Sequence, residues 1–211
     1  EEMFNDISKR YDMFNTISSF GLDRYWRHKL TSSFSFQKTD KLLDVATGTG
    51  DVVFSFYRKF KVSCVGVGIA YKMIKLANIK KDIKKISNND IEFLTGDAEK
   101  LDFPDNLFDA LTISFGFRNL GDYNKGLSEF CRVLKPGGQI AILEFSKSTS
   151  FWFRPIFNFY FNRIIPIIGS LLARKDAFLY LPESVDNFLS RKDVCSKMEK
   201  AGFVNIIYKD Y

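Results

Sequence analysis

The chain predicts a doubly wound, mostly parallel α/β sheet, and three observations carry that expectation. Short apolar runs alternate with helix-patterned segments from Lys41 onward. The runs are continuous rather than alternating apolar and polar, as expected of a parallel sheet covered by helices on both faces. The first run, Leu42-Leu43-Asp44-Val45-Ala46, passes through Thr47-Gly48-Thr49-Gly50 into a helical pattern. Such a strand–glycine turn–helix unit lets a ligand approach backbone N–H groups at the positive end of a helix dipole.

Taken in order, residues 1–16 and 22–36 read as two helices, with Met3, Ile7, Tyr11 and Phe14 at helical spacing. Strand 41–46 and helix 51–60 follow, then strand 62–67 and helix 71–84. Strand 91–95 ends at Gly96-Asp97, and the polar loop Phe103-Pro104-Asp105-Asn106 leads to strand 108–115. Helix 124–134 is stopped by Lys135-Pro136-Gly137-Gly138, and strand 139–145 comes next. Residues 151–181 are dense in aromatics and punctuated by Pro155, Pro166 and Pro182, an insert of helices before a last helix at 191–200 and a strand at 204–208. The chain divides into a helical cap (1–36), a cofactor-binding core (37–146), a substrate-side insert (147–190) and a closing helix and strand (191–211), all in one domain. Both native ends are expected to lie beyond this stretch, the C-terminus being truncated within a strand.

With 211 residues, 45% of them hydrophobic, the chain can bury a sizeable core and is not disordered. Cys64, Cys131 and Cys195 are odd in number and far apart, which favours reduced thiols and an intracellular setting. One histidine and no paired cysteines argue against a metal site; His28 reads as a surface or structural residue. The net charge is +6, with lysines clustered from Lys72 to Lys85. They read as a solvated helix face, with an anionic membrane surface or nucleic acid as the other readings. No compact basic strip interleaved with aromatics speaks for nucleic acid. No apolar run reaches the ~18 residues of a membrane span, since Arg154, Arg163 and Arg174 interrupt the most apolar region.

The glycine turn departs from the dinucleotide fingerprint, because Asp51-Val52-Val53 follows Gly48-x-Gly50 where a third glycine is wanted. An acid two residues before the loop instead resembles motif I of S-adenosylmethionine (SAM) methyltransferases. On that reading Asp44 orients the loop of Gly48, Thr49 and Gly50 and holds the cofactor's ammonium through water. Asp97 accepts from the exocyclic adenine amine while the Ala98 N–H meets a ring nitrogen, against the plainer reading of an Asx turn. Ile69 packs on the adenine face. Ser114 closes the fourth strand, beside the reactive methyl. Ser114-Phe115-Gly116 lacks the Pro-Pro that often marks methylation of exocyclic or amide nitrogen. Gly68 stands where an acid usually receives the ribose hydroxyls. A charged hydrogen bond contributes roughly 1.5–3 kcal/mol, so its loss costs about 10- to 100-fold in affinity.

Together these residues resemble the ubiquinone/menaquinone biosynthesis C-methyltransferases, the UbiE/Coq5 family, from Tyr11 to about Phe203. The sharpest match is Arg132-Val133-Leu134-Lys135-Pro136-Gly137-Gly138-Gln139-Ile140-Ala141-Ile142-Leu143-Glu144-Phe145-Ser146, with Ile113-Ser114-Phe115-Gly116-Phe117-Arg118-Asn119 close behind. Asp102-Phe103-Pro104-Asp105-Asn106 and Ile168-Gly169-Ser170-Leu171 match in character. The N-terminal signature from Tyr11 to Trp26 is looser: Phe14, Ser18 and Asp23 depart from it, as Thr47 and Gly68 depart elsewhere. The resemblance implies a class I, Rossmann-like methyltransferase fold in which Thr49, Asp97, Ala98 and Ser114 contact SAM and Arg118 and Asn119 face the substrate ring. It implies carbon methylation of a polyprenylated quinol. Ionising a ring hydroxyl enriches the ortho carbon, which attacks the sulfonium methyl; Arg118 stabilises the phenolate, directly or through water, and Asn119 and Tyr11 are ring-hydroxyl partners. A guanidinium is itself no ordinary base. An insoluble tail implies peripheral contact with a membrane, from the cytoplasm or the mitochondrial matrix, and a homodimer or a quinone-synthesis assembly is a further expectation. The alternatives are a catalytically weak SAM-fold scaffold, motivated by Gly68, and a methyltransferase for another small molecule or RNA.

Overall fold

The computed structural model describes residue 19 and residues 21–145, 184–185 and 187–211. The helix expected at 1–16, Tyr11 and the aromatic insert at 151–181 lie outside the described residues. Helix α1 (Leu22–Ser32) is followed by β1 (Lys41–Val45), α2 (Asp51–Phe60), β2 (Ser63–Gly68), α3 (Tyr71–Ile83), β3 (Ile91–Thr95) and β4 (Phe108–Ser114). A short 3-10 turn (Phe117–Asn119), α4 (Tyr123–Val133), β5 (Leu134–Leu143) and α5 (Arg191–Lys200) complete the order.

The five strands form one parallel sheet in the order β3-β2-β1-β4-β5. The chain winds outward from β1 in both directions, so the connections after β1 and β4 diverge, and the crevice between them is the switch point where such sheets bind ligands. Both faces of β1 are covered. Leu42 joins Phe34, Phe56, Ala77 and Ile91 in one core, and Leu43 and Val45 join Leu111, Phe117, Leu127 and Phe130 in the other. Neither face needs a polar residue, which is why the strand sequences do not alternate.

Helix boundaries follow local chemistry. The Asp122 side chain accepts from the N–H groups of Asn124 and Lys125 and starts α4. Ser190 and Asp193 form a reciprocal capping box at the start of α5. α1 ends at Ser32, short of the expected residue 36, because Phe34 turns into the core to stack with Phe36 and meet Phe56 edge-on.

Two expectations are corrected. Lys135-Pro136-Gly137-Gly138 does not separate a helix from a strand. β5 starts at Leu134, opposite Phe108, and resumes pairing with Gln139 opposite Ala110, so the intervening residues bulge out of the ladder. No strand forms at 204–208. A strand needs a neighbour to receive its hydrogen bonds, and β5 is the sheet edge with no further strand beside it among the described residues. That segment lies against α5 instead: Arg191 pairs with Asp210 at 2.7 Å and covers the Tyr208 ring, while Phe203 and Ile206 pack on the core.

Candidate active site

The turn after β1 holds three residues in the left-handed region, Ala46 (φ 54°), Gly48 (56°) and Gly50 (85°). Thr47 N–H donates to Val67 O at 2.9 Å and Gly50 N–H to Thr47 O at 3.0 Å, which pins the turn to β2. A Cβ on Gly50 would fall 2.5 Å from the Phe93 ring, and one on Gly116 would fall 2.4 Å from Ala46 Cβ. The loops after β1 and β4 therefore touch at the switch point.

Asp44 stands opposite Thr112 in the β1–β4 register, and the Thr112 hydroxyl donates to its Oδ1 at 2.7 Å. Burial pushes the Asp44 carboxyl up to about 7, against the opposing pull of the Thr112 hydroxyl and, more weakly, the nearby Thr47 hydroxyl. Asp44 Oδ2, Thr47 Oγ1 and Ser114 Oγ are each buried with no well-aligned hydrogen-bond partner. An unsatisfied buried polar atom costs about 1–3 kcal/mol and is rare in folded proteins. Three of them gather at the carboxyl ends of β1 and β4, a donor and acceptor set that fits a polar, cationic ligand head.

On the β2–β3 side, Gly96 N–H donates to Gly68 O at 3.1 Å, which sets Ile69 and Asp97 at neighbouring strand ends. Ile69 is 50% exposed although large and apolar, as suits a flat aromatic ligand face. Asp97 Oδ1 accepts from Glu99 N–H at 2.9 Å, so the Asx turn exists; Asp97 remains exposed and Ala98 half-buried. The turn and a ligand-binding role are compatible, since a carboxylate has several acceptor sites. A Cβ on Gly68 would meet Ile74 Cδ1 at 3.4 Å and the Thr47 and Gly48 nitrogens at 3.7 and 3.8 Å, ordinary contact distances. A side chain fits there. Gly68→Asp is accordingly expected to fold normally and to tighten SAM binding about 10-fold. Calorimetric titration of the two proteins checks this, and an unchanged or weakened affinity refutes it.

Sequence reasoning missed a charged chain behind the glycine turn. Ser19 and Arg27 hold buried Asp23, Arg27 also reaches Asp51 at 2.7 Å, and Lys80 bonds Asp51 at 3.1 Å and the Thr49 hydroxyl at 2.9 Å. The Thr49 hydroxyl thus accepts from Lys80 of α3. Asp23, a departure in the N-terminal signature, holds Arg27, which ties α1 to Asp51 at the start of α2. The four-residue spacing of Asp23 and Arg27 was the available signal; Asp51 and Lys80 had none.

Arg118 lies in the 3-10 turn after β4, next to Asn119, whose N–H donates to Gly116 O at 3.1 Å. The Arg118 side chain is 7% exposed and pairs with Glu144, at the end of β5 and 5% exposed, at 2.5 Å. Its Nη1 also donates to Phe115 O at 2.8 Å and its Nε to Ser184 Oγ at 3.2 Å. Phe115 sits in the left-handed region (φ 56°), a strained place for an aromatic residue, and such strain clusters at functional sites. Its ring meets Phe145 at 4.7 Å and Trp26 of α1 at 5.8 Å. His28 is exposed, as a surface histidine should be. Residues from the loops after β1, β2, β3 and β4 thus converge on one end of the sheet.

Comparison with known proteins agrees with this geometry. A family model, the ubiE/COQ5 methyltransferase family, matches residues 1–211. The chain belongs to that family. It is 41% identical over 211 residues to a ubiquinone/menaquinone biosynthesis C-methyltransferase UbiE of Geobacter sulfurreducens, covering 99% of this chain and 82% of that one. It is 40% identical over 205 residues to a demethylmenaquinone methyltransferase of Deinococcus radiodurans, covering 96% and 84%. Among solved structures, a putative methyltransferase of Bacillus halodurans superimposes with TM-score 0.63 at 24% identity, over 84% of this chain and 68% of that one. A Haemonchus contortus phosphoethanolamine N-methyltransferase 2 in complex with S-adenosyl-L-methionine gives TM-score 0.63 at 18% identity, over 86% and 37%. At that identity the two structures establish the fold, the class I Rossmann-like methyltransferase fold. As a ubiE/COQ5 family member the protein is a SAM-dependent C-methyltransferase of the ubiquinone/menaquinone biosynthesis type.

Proposed function

We propose that the protein methylates a ring carbon of a polyprenylated quinol. The observation that carries this reading is the meeting, at one end of the sheet, of the unpartnered polar atoms at Asp44, Thr47 and Ser114 with an aromatic wall and an arginine. The first set suits a cationic donor and the second a phenolic acceptor. SAM, when bound, supplies an electrophilic methyl group. Asp44 holds the ammonium end, the backbone of Gly48, Thr49 and Gly50 cradles the chain, and Ile69, Asp97 and Ala98 take the adenine. Ser114 lies beside the reacting centre. Arg118 stabilises the ring phenolate, directly or through a water, and Asn119 and Tyr11 hold ring hydroxyls. Orienting nucleophilic carbon and methyl in line, away from water, then lowers the barrier. No covalent enzyme intermediate is required.

Peripheral membrane contact belongs to the same proposal, because a prenyl tail must be collected from a bilayer. No helix among the described residues is long and apolar enough to cross a membrane, and the net charge of +6 favours an anionic surface. The deciding experiment is an assay with labelled SAM and a short-tailed soluble quinol, run beside flotation with anionic vesicles. Methyl transfer to ring carbon and co-flotation are expected. Transfer to oxygen or nitrogen, or SAM binding absent altogether, overturns the chemistry and favours the scaffold reading; failure to float removes only the membrane part.

A further inference from the structure

Glu144 carries no role so far, yet the site's most buried charge pair is built around it. All of its bonds serve the loop after β4 and the end of its own strand. Oε1 accepts from Arg118 Nη1 at 2.5 Å and from Phe145 N–H at 2.9 Å, and Oε2 accepts from the Arg118 backbone N–H at 3.1 Å. One carboxylate thus fixes both the backbone and the side chain of Arg118. Burial raises its carboxyl above the usual range, although Arg118 opposes this. With Nη1 spent on Glu144 and Phe115 O, and Nε on Ser184, Nη2 is the Arg118 nitrogen with no hydrogen bond among the described residues. The guanidinium also stands over the Phe145 ring, 5.8 Å from its centre, and Phe145 meets Phe115 at 4.7 Å and Trp26 at 5.7 Å.

We propose that Glu144 is a positioning residue for the acceptor ring: it locks Arg118 so that Nη2 faces a ring hydroxyl while Trp26, Phe115 and Phe145 take the ring face. The inference rests on the quinol reading above. Three of the carboxylate's acceptor positions are already engaged by Arg118 and Phe145, which suits Glu144 to holding Arg118 in place. A planar guanidinium held at three points loses little freedom when it meets the hydroxyl, and that makes the lock useful. Three aromatic rings in tilted and edge-on contact beside it offer an apolar wall to the face of a quinol.

Trp26 supplies the probe. The chain has two tryptophans, so in a Trp152→Phe background the emission reports Trp26 alone. Titration with a short-tailed quinol is expected to quench it. Glu144→Gln, which keeps the shape and removes the charge, is expected to weaken the quinol dissociation constant at least 10-fold and lower kcat, while SAM affinity by calorimetry stays within about twofold. Added to Arg118→Gln, the same change is expected to cost nothing further, because Glu144 acts through Arg118. Unchanged quinol binding in Glu144→Gln, or losses that add in the double variant, overturn the proposal. Should Glu144→Gln fail to fold, the doubly neutral Arg118→Gln/Glu144→Gln protein is compared with Arg118→Gln alone; equal quinol affinity supports the lock and a further loss overturns it. No quenching in the Trp152→Phe protein itself removes the quinol reading and this inference together.

Discussion

Asp44→Asn is expected to cost about 100-fold in SAM affinity while making the free protein more stable at pH 8. Asp44 is 1% exposed, and only one of its oxygens has a partner. Burial lifts its carboxyl to about 7, far above the unfolded value. A group raised in this way favours the folded state most at low pH. That contribution declines as pH rises from about 4 and is gone above about 7, where the ion must be kept buried. Asn carries no such penalty. The gain at pH 8 is on the order of 3 kcal/mol, or roughly 5–10 °C in Tm. The lost function is the ionised oxygen that meets a cation, a charged hydrogen bond with the magnitude given above. The parent protein's SAM affinity should therefore fall about tenfold per pH unit below 7, and the Asn variant's should not. Calorimetry across pH 6–8 with thermal unfolding of the same samples tests both halves. Tight, pH-independent binding by the variant would remove Asp44 from the cofactor site.

Arg118→Ala carries the second large effect, and its character depends on Glu144. An exposed arginine could be lost at the cost of turnover alone. Here its removal strands a carboxylate that is 5% exposed, and breaking a buried pair from one side costs about 3–5 kcal/mol. Turnover is expected to fall at least 100-fold. The stranded Glu144, already raised by burial, loses the neighbour that opposed that rise. The variant should consequently be most stable at low pH and lose stability as pH passes upward through the raised value. A second change, Glu144→Gln, should restore much of the Tm without restoring turnover. Unfolding at pH 5 and pH 8, with a methyl-transfer assay, checks the pair. A wild-type Tm for Arg118→Ala at pH 8 would mean the ion pair does not support the fold. Loss of SAM binding in step with turnover would give Arg118 a purely structural part.

Much of the molecule was legible in the chain. The apolar runs gave four of the five strands to within one or two residues, because burial on both faces leaves a local mark. α3, β3 and α5 fall within one residue of the segments expected, and at α5 the Ser190–Asp193 capping box lies close in sequence. Gly48 and Gly50 announced the turn because left-handed backbone selects glycine; Ala46 and Phe115 adopt it without that mark. The strand expected at 204–208 had the right residues and lacks a partner, and pairing is never a local property.

The sequence alone determined the doubly wound sheet, the glycine turn after β1 and the family. Only the tertiary structure decided which groups pair: Arg27 with Asp51, Lys80 with Asp51 and, by a hydrogen bond, with the Thr49 hydroxyl, and Arg118 with Glu144. Partners 24 to 31 residues apart meet because separate strands and helices bring their ends together. The burial that packing imposes strengthens the Arg118–Glu144 pair in particular, and no local pattern in the chain encodes it.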